Sequence, residues 1–529
     1  MGCGASGAMD ANAFHAAMRC SLLPEVDTLT YQGVFNEHSY QTGGPEQEHV
    51  LAISAGASRI GEDVWVACFL KSCRDGQPRD GKPIDVIVVL DVSGSMNGGV
   101  AATGVHGPSR LALAKQALLA LLLKLREEDG FGLATFTRTG SVVQPLLRRR
   151  SLQMDQLQQR IEELTAGGGT TIAAGMDAAL EVLGDGRSGE REQRLLFLTD
   201  MEDNAIAPGQ LDSMVATEAQ HGLYVSFVGI GMRFNARLAE EVTKHQGANY
   251  FCITRQEELQ KTIVDNFDWN FFPAAFDVEL THQSDSFQLA SVYGTPFDLR
   301  EELLESDWMP DAHRFYPADF KARVKTLLLC LRRHPLALPM PALQSVCGFL
   351  SCGVRSITRV DTVFPSGVQS DGAVDGGLIL LRLKGASSGL VRLTLRYEAN
   401  GQRVARCHDV RVTADAGELD GAIQKGVALQ RYVESCRRYL MLRTPVAPDD
   451  PFYPEYKASV TAALQRLKDL ATEFSDRDVD AQCPGLVQQL QDFLEMADRH
   501  AEDVLKPLPD QPEPAPPNGK AFGYTNPTS

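Results

Sequence analysis

The chain has 529 residues, 43% hydrophobic and 22% charged, enough for roughly two to four domains whose cores need no disulfide support. Its formal net charge of −17 argues against nucleic acid, whose phosphates require a basic face. The 11 cysteines are scattered, odd in number and without a CxxC pair, so they read as mostly buried free thiols in a reducing compartment.

The amino terminus, residues 1–27, reads as a tail carrying one pointed signal. Met1-Gly2-Cys3-Gly4-Ala5-Ser6 matches the N-myristoylation pattern, with glycine second and serine sixth. Cys3 beside Gly2 is a palmitoylation site in the same reading, because one myristoyl chain anchors only marginally and a second signal is needed. No apolar h-region of a secretory signal stands nearby. No stretch reaches the roughly 18–20 apolar residues of a membrane span; Leu111 to Leu125 is broken by Lys115, Gln116 and Lys124. The expectation is a cytoplasmic protein, membrane-anchored where Gly2 and Cys3 are acylated.

Residues 28–83 read as short β segments, including Val64 to Leu70, closed by the turn chemistry of Arg74-Asp75-Gly76-Gln77-Pro78 and Asp80-Gly81-Lys82-Pro83. Over 84–270 the pattern becomes an alternation of buried strands and amphipathic helices. Val86 to Leu90 is a continuous apolar run, as expected of a central parallel strand covered on both faces. Leu111, Ala114, Leu118, Leu122 and Leu125 recur at helical spacing. Gly132 to Phe136, Leu195 to Thr199, Tyr224 to Ile230 and Tyr250 to Ile253 read as further strands. Helices fall at Met154 to Leu164, Ala173 to Leu183 and Ala236 to Lys244. This order predicts a doubly wound α/β sheet, with ligands at the carboxyl ends of its strands.

Residues 271–416 return to β patterning, with Phe276 to Leu280, Leu378 to Leu383 and the alternating run Val391 to Tyr397 as strands. The fold class is multidomain α/β plus β plus α. The doubly wound unit is either inserted into one β-sandwich, the preferred arrangement, or flanked by two separate β domains. Residues 417–506 are helical, with the stripes Val460, Leu464, Leu467, Ala471 and Leu486, Leu490, Leu494 assigned to packing. Residues 507–529 are proline-rich and expected to be disordered.

The chemistry concentrates in Asp91-Val92-Ser93-Gly94-Ser95-Met96, directly after the strand Val86 to Leu90. An aspartate and two serines at alternate positions bring three oxygens into one loop, the donor type that Mg²⁺ selects. Hydroxyl ligands leave the cation electrophilic, while carboxylates behind water balance its charge. Two further pieces come from other loops: Gly167-Gly168-Gly169-Thr170-Thr171, and Asp200 at the end of Leu195 to Thr199.

Together these residues resemble the metal-ion-dependent adhesion site of von Willebrand factor A domains. That resemblance implies Ser93, Ser95 and Thr170 as direct ligands of Mg²⁺ (or Mn²⁺ or Ca²⁺), with Asp91 and Asp200 acting through water. Thr171 is the alternative to Thr170. It also implies a protein partner whose acidic side chain completes the coordination. The family often has glycine after the second aspartate, where this chain has Met201-Glu202-Asp203; a bulky Met201 and two acids are expected to narrow the rim or disfavour acidic partners. The wider layout, with the helical segment Ile423-Gln424-Lys425-Gly426-Val427-Ala428-Leu429-Gln430-Arg431-Tyr432, is similar to inter-α-trypsin-inhibitor-like and calcium-activated-chloride-channel-like proteins. A scaffolding subunit is a second reading. A metal-dependent hydrolase is the third; the chain has no HExxH, GxSxG elbow or P-loop pattern to support it, and His106 reads as solvated. The expectation is a binding module, not an enzyme.

Overall fold

The computed structural model describes residues 4–38, 40, 48–79, 82–100, 108–187, 189–201, 209–232, 234–296, 355–368, 377–399, 402–413, 420–447 and 450–505. Gly2, Cys3, His106, Glu202, Asp203 and the segment 507–529 lie outside them.

In chain order the strands open with β1 (Gly4–Ala5), β2 (Gly7–Ala8), β3 (Leu51–Ile60) and β4 (Asp63–Ser72). The α/β unit supplies β5 (Ile84–Asp91), β6 (Gly130–Phe136), β7 (Gly140–Arg148), β8 (Glu192–Thr199), β9 (Leu223–Ile230) and β10 (Asn249–Ile253). Then follow β11 (Ala275–Gln283), β12 (Phe287–Tyr293), β13 (Arg355–Phe364), β14 (Gly377–Gly385), β15 (Gly389–Ala399) and β16 (Gln402–Val412). The main helices are α1 (Asn12–Arg19), α2 (Tyr31–Glu37), α3 (Arg110–Lys124), α4 (Met154–Glu163), α5 (Ile172–Leu183), α6 (Gln210–Gln220), α7 (Ala236–Val242), α8 (Asp420–Leu440), α9 (Tyr453–Asp476) and α10 (Leu486–Val504).

β5 is buried along its whole length, as its unbroken apolar run requires of a strand covered on both sides. Val86, Val88 and Leu90 share one core with Leu111, Leu118 and Leu122 of α3. Ile87 and Val89, pointing the other way, share a second with Ile172 and Met176 of α5. The sheet order is β2-β10-β9-β8-β5-β6-β7. Its internal pairs are parallel, and β7 closes one edge antiparallel to β6. Pro145 sits in β7, an edge position where a missing backbone donor breaks no ladder.

The other strands form a five-stranded sheet, β1-β13-β11-β15-β16, and a four-stranded sheet, β12-β14-β4-β3. Val66, Cys68 and Leu70 of β4 pack with Ile379 and Leu381 of β14 against Val278 and Leu280 of β11 and Val391, Leu393 and Leu395 of β15. β4 precedes the α/β unit and β14 follows it, yet they pair antiparallel from Leu70↔Gly377 to Val64↔Leu383. The α/β unit is therefore an insertion between strands of one sandwich, the arrangement preferred from sequence. The opposite face of the four-stranded sheet, through Trp65, Ala67, Phe69, Leu378 and Leu380, packs on the helices with Val427, Tyr432, Leu467 and Phe493.

The amino-terminal segment corrects the reading of a tail. From Gly4 onward it is woven into the body: β1 pairs with β13 and β2 runs parallel to β10, so residues Gly4 to Ala8 bridge the two largest sheets. The Gln32 amide donates to the Ala5 carbonyl at 2.6 Å and to that of Ser6. The Asp10 carboxylate accepts from Cys252 N at 3.1 Å. The β reading of Leu29 onward is also corrected, since Tyr31–Glu37 is helix, capped by Thr30 accepting from Gly33 N at 2.9 Å.

Candidate functional site

Asp91 is the last residue of β5, the strand with β8 on one side and β6 on the other. The chain leaves this strand in one direction and later returns on its other side, so the loops diverge and open a crevice at the carboxyl ends. Asp91 is 0% exposed. Its Oδ1 accepts from Ser93 N at 2.8 Å and its Oδ2 from Thr199 Oγ1 at 2.7 Å. Burial pushes the Asp91 carboxyl from 3.8 up to about 6, reinforced by Asp200 and opposed by the bonds from Ser93 and Thr199.

Ser93 and Ser95 flank the start of a 3₁₀ turn at Gly94–Asn97, which directs both side chains to the same side. Their hydroxyl oxygens lie 3.0 Å apart. Octahedral oxygen ligands at about 2.1 Å from a cation stand about 3 Å from one another along an edge, so the serine pair has the spacing of two adjacent ligands. The glycine loop is tied to this turn by two backbone bonds: Gly167 N donates to Val92 O at 2.8 Å and Gly94 N to Gly168 O at 3.0 Å. Gly168 has φ +80°, a conformation a side chain would disfavour. Thr171 N donates to Thr137 O at 2.9 Å. Thr170 and Thr171 are both half-buried ahead of α5, in the loop tied to the serine turn.

Asp200 follows β8 and is 0% exposed. An Nη of Arg110 donates to its carboxylate, and the same nitrogen lies 3.4 Å from the Ser95 carbonyl. Arg110 is itself 6% exposed. It is the first residue of α3, held there by the Ser109 cap and by its own N–H donating to Gly98 O at 2.9 Å. A cation at this end opposes the helix dipole, and Asp200 compensates it. Gly231, at φ +95°, leaves the space: a Cβ there would lie 2.7 Å from Arg110 Nε. Arg110 went unnoticed in the sequence, where the one available signal was an arginine at a helix's first position. Its partner lies 90 residues away.

Met201 corrects a further expectation. Its side chain does not narrow the rim; it is 0% exposed in the core with Ile172 and Phe197. The backbone turns there at φ +55°, and Met201 N donates to Thr199 Oγ1 at 3.0 Å. Among the described residues, no group of three or more His, Cys, Asp or Glu side chains is placed to hold a metal ion. The donors at this crevice are instead hydroxyls backed by two carboxylates. No helix among the described residues is long and apolar enough to cross a membrane.

The family model for the von Willebrand factor type A domain matches residues 86–202, the span that holds all five of these residues. Among curated relatives, the uncharacterized protein YfbK of Escherichia coli (strain K12) is 24% identical over 198 residues, covering 37% of this chain and 32% of that protein. Calcium-activated chloride channel regulator 4 of Homo sapiens is 29% identical over 189 residues, covering 34% and 18%. Voltage-dependent calcium channel subunit alpha-2/delta-3 of Rattus norvegicus is 28% identical over 127 residues, covering 22% and 11%. The matched part thus spans about a third or less of each of these relatives. Among solved structures, a von Willebrand factor type A protein from Catenulispora acidiphila aligns over 83% of this chain and 90% of its own, at 13% identity and a TM-score of 0.47. The chain carries a von Willebrand factor type A domain, matched over residues 86–202, set between strands of a β-sandwich and followed by helices.

Proposed function

We propose that the protein is a metal-dependent binding module, engaging the acidic side chain of a protein partner through a divalent cation at the Asp91 crevice. Ser93, Ser95 and Thr170 would hold the cation directly, with Asp91 and Asp200 behind water; Thr171 is the alternative to Thr170. Mg²⁺ is the preferred ion, with Mn²⁺ and Ca²⁺ as substitutes. The observation that carries this reading is the 3.0 Å spacing of the two serine hydroxyls beside a buried Asp91 held by Ser93 N and Thr199 Oγ1. Bound there, the cation would supply an electrophilic position for a carboxylate.

Binding is favoured over catalysis because both carboxylates are already engaged, Asp91 by Ser93 and Thr199 and Asp200 by Arg110. Neither faces the crevice as a free base. The test is a short glutamate-containing peptide titrated into the full chain. It should bind in millimolar Mg²⁺ and not in EDTA, and Asp91→Ala should abolish the binding while retaining the folded spectrum. Equal binding with and without metal would overturn the reading.

Acylation of Gly2 and Cys3, with the cytoplasmic membrane association it would confer, is a separate proposal supported by the Met1 to Ser6 pattern. Ser6 is 0% exposed in the folded chain, so the acylating enzyme would act before β1 and β2 dock. Gly2→Ala should move the protein from membrane to soluble fraction in cells that carry the enzymes; an unchanged distribution would remove the proposal.

A further inference from the structure

The opposite end of the seven-stranded sheet holds a buried cation, Arg194, with no carboxylate at ion-pair distance among the described residues. Arg194, in β8, is 2% exposed. One Nη donates to the Gly247 carbonyl. The guanidinium carbon lies 5.4 Å from the ring centre of Tyr224, 5.9 Å from that of Phe272 and 6.0 Å from that of Phe364. Among the described residues its Nε meets no acceptor, and Glu192 acts on it through space. Removing a guanidinium from water is costly unless the charge is answered. An aliphatic side chain would pack among those three rings without that cost.

Arg194 borders a pocket of about 390 Å³ at the amino-terminal ends of β8 and β9, a volume within the usual range of small-molecule sites. Lys82, Arg187, Arg191 and His221 also line it, against a single acid, Glu192. Arg187 is answered by Glu218 at 2.6 Å and Arg191 by Asp85 at 2.7 Å. Lys82 and Arg194 are the lining cations with no carboxylate at ion-pair distance among the described residues. Tyr224 contacts the Arg194 guanidinium and stacks on Phe276, with ring centres 4.8 Å apart in the aromatic pair. That stack fixes the guanidinium before any ligand arrives, so little side-chain freedom is lost on binding. In a chain of net charge −17, a basic, aromatic-walled pocket is a local construction against the general field.

We propose that this pocket binds a phosphate-bearing small molecule, its oxyanion held between Arg194 and Lys82. The planar guanidinium presents several donors suited to a phosphate oxygen pair, and the ammonium adds a point charge from the rim. Burial lowers the Arg194 guanidinium only to about 10, so the charge persists at neutral pH.

The test is calorimetric titration of inorganic phosphate and inorganic pyrophosphate into the full chain, at constant ionic strength with chloride as the comparison. EDTA is present throughout, which keeps any cation at the Asp91 crevice from contributing an anion site. Saturable binding should appear and weaken about tenfold or more in Lys82→Ala and in Arg194→Gln. Lys82 is exposed, so its variant decides the matter alone if Arg194→Gln does not fold. Absence of saturable binding, or equal affinity in the Lys82 variant, would overturn the proposal and leave Arg194 as a packing strut.

Discussion

The two ends of the seven-stranded sheet both bury aspartates, and they treat them in opposite ways. At the amino-terminal end, Asp129 is paired with Arg79 and also accepts from Ile84 N at 3.1 Å and Arg126 N at 2.7 Å. Asp85, beside it, pairs with Arg191 at 2.7 Å. At the carboxyl-terminal end, Asp91 is as buried, and its donors among the described residues are neutral, Ser93 and Thr199 Oγ1. Asp200 has an arginine, but that arginine begins a helix at the lip of the crevice. A buried carboxylate with an arginine on it is a finished structural element. One held by neutral donors alone keeps its charge unanswered, and its carboxyl is pushed up to about 6 in consequence. The difference separates a joint from a site within one sheet.

The largest test of that contrast is Asp129→Ala. It strips the buried Arg79 guanidinium of its buried carboxylate, leaving the partly exposed Asp268 at 3.0 Å, and should cost about 3–5 kcal/mol in denaturant unfolding. Mg²⁺ should not restore the loss. A change below about 1 kcal/mol would mean that the amino-terminal network is not structural.

The next test is pH. The folded Asp91 carboxyl is raised to about 6 from 3.8, so the folded protein binds this proton more tightly than the unfolded chain does. Its contribution to metal-free stability is full below about 4 and is lost as pH rises through about 6, an effect of up to about 3 kcal/mol. Cation affinity should run the other way, weakening as pH falls through about 6. Titration of Mn²⁺ at pH 5 and pH 7.5, with unfolding in EDTA at the same values, reads both. Affinity independent of pH would remove Asp91 from the cation's charge balance.

A smaller effect is expected from Arg110→Gln. It removes a charge-assisted bond to Asp200, worth about 2 kcal/mol in EDTA, and should raise Mg²⁺ affinity several-fold because the cation no longer competes with a tethered one. Lower affinity would make Arg110 part of the cation's support.

How much of this was legible follows the range of the interactions. The Asp91 to Ser95 run and the apolar run before it are local, so strand end and loop chemistry could be read together. Ile87 and Val89 face one layer, Val86 and Val88 the other, and a strand buried on both faces shows as an unbroken apolar run. β1 and β2 could not be read, because two-residue strands have no periodicity; they are held by partners such as Gln32 and Asp10, whose roles exist only after folding. β7 was hidden by Pro145 and by its mixed burial at an edge. Arg110 and Arg194 were invisible for a related reason. Their meaning lies in Asp200, 90 residues away, and in rings supplied by three separate segments. Met201 was misjudged because its direction is set by a left-handed backbone turn at φ +55°.

The central claim is that the serine hydroxyls and the two aspartates form a cation site. Isothermal titration of Mg²⁺ and Mn²⁺ into the wild-type chain beside Ser93→Ala tests it most directly. One-to-one binding in the millimolar range or tighter is expected, lost in the variant with unfolding stability unchanged. Absence of binding in the wild type, or equal affinity in both proteins, would contradict it.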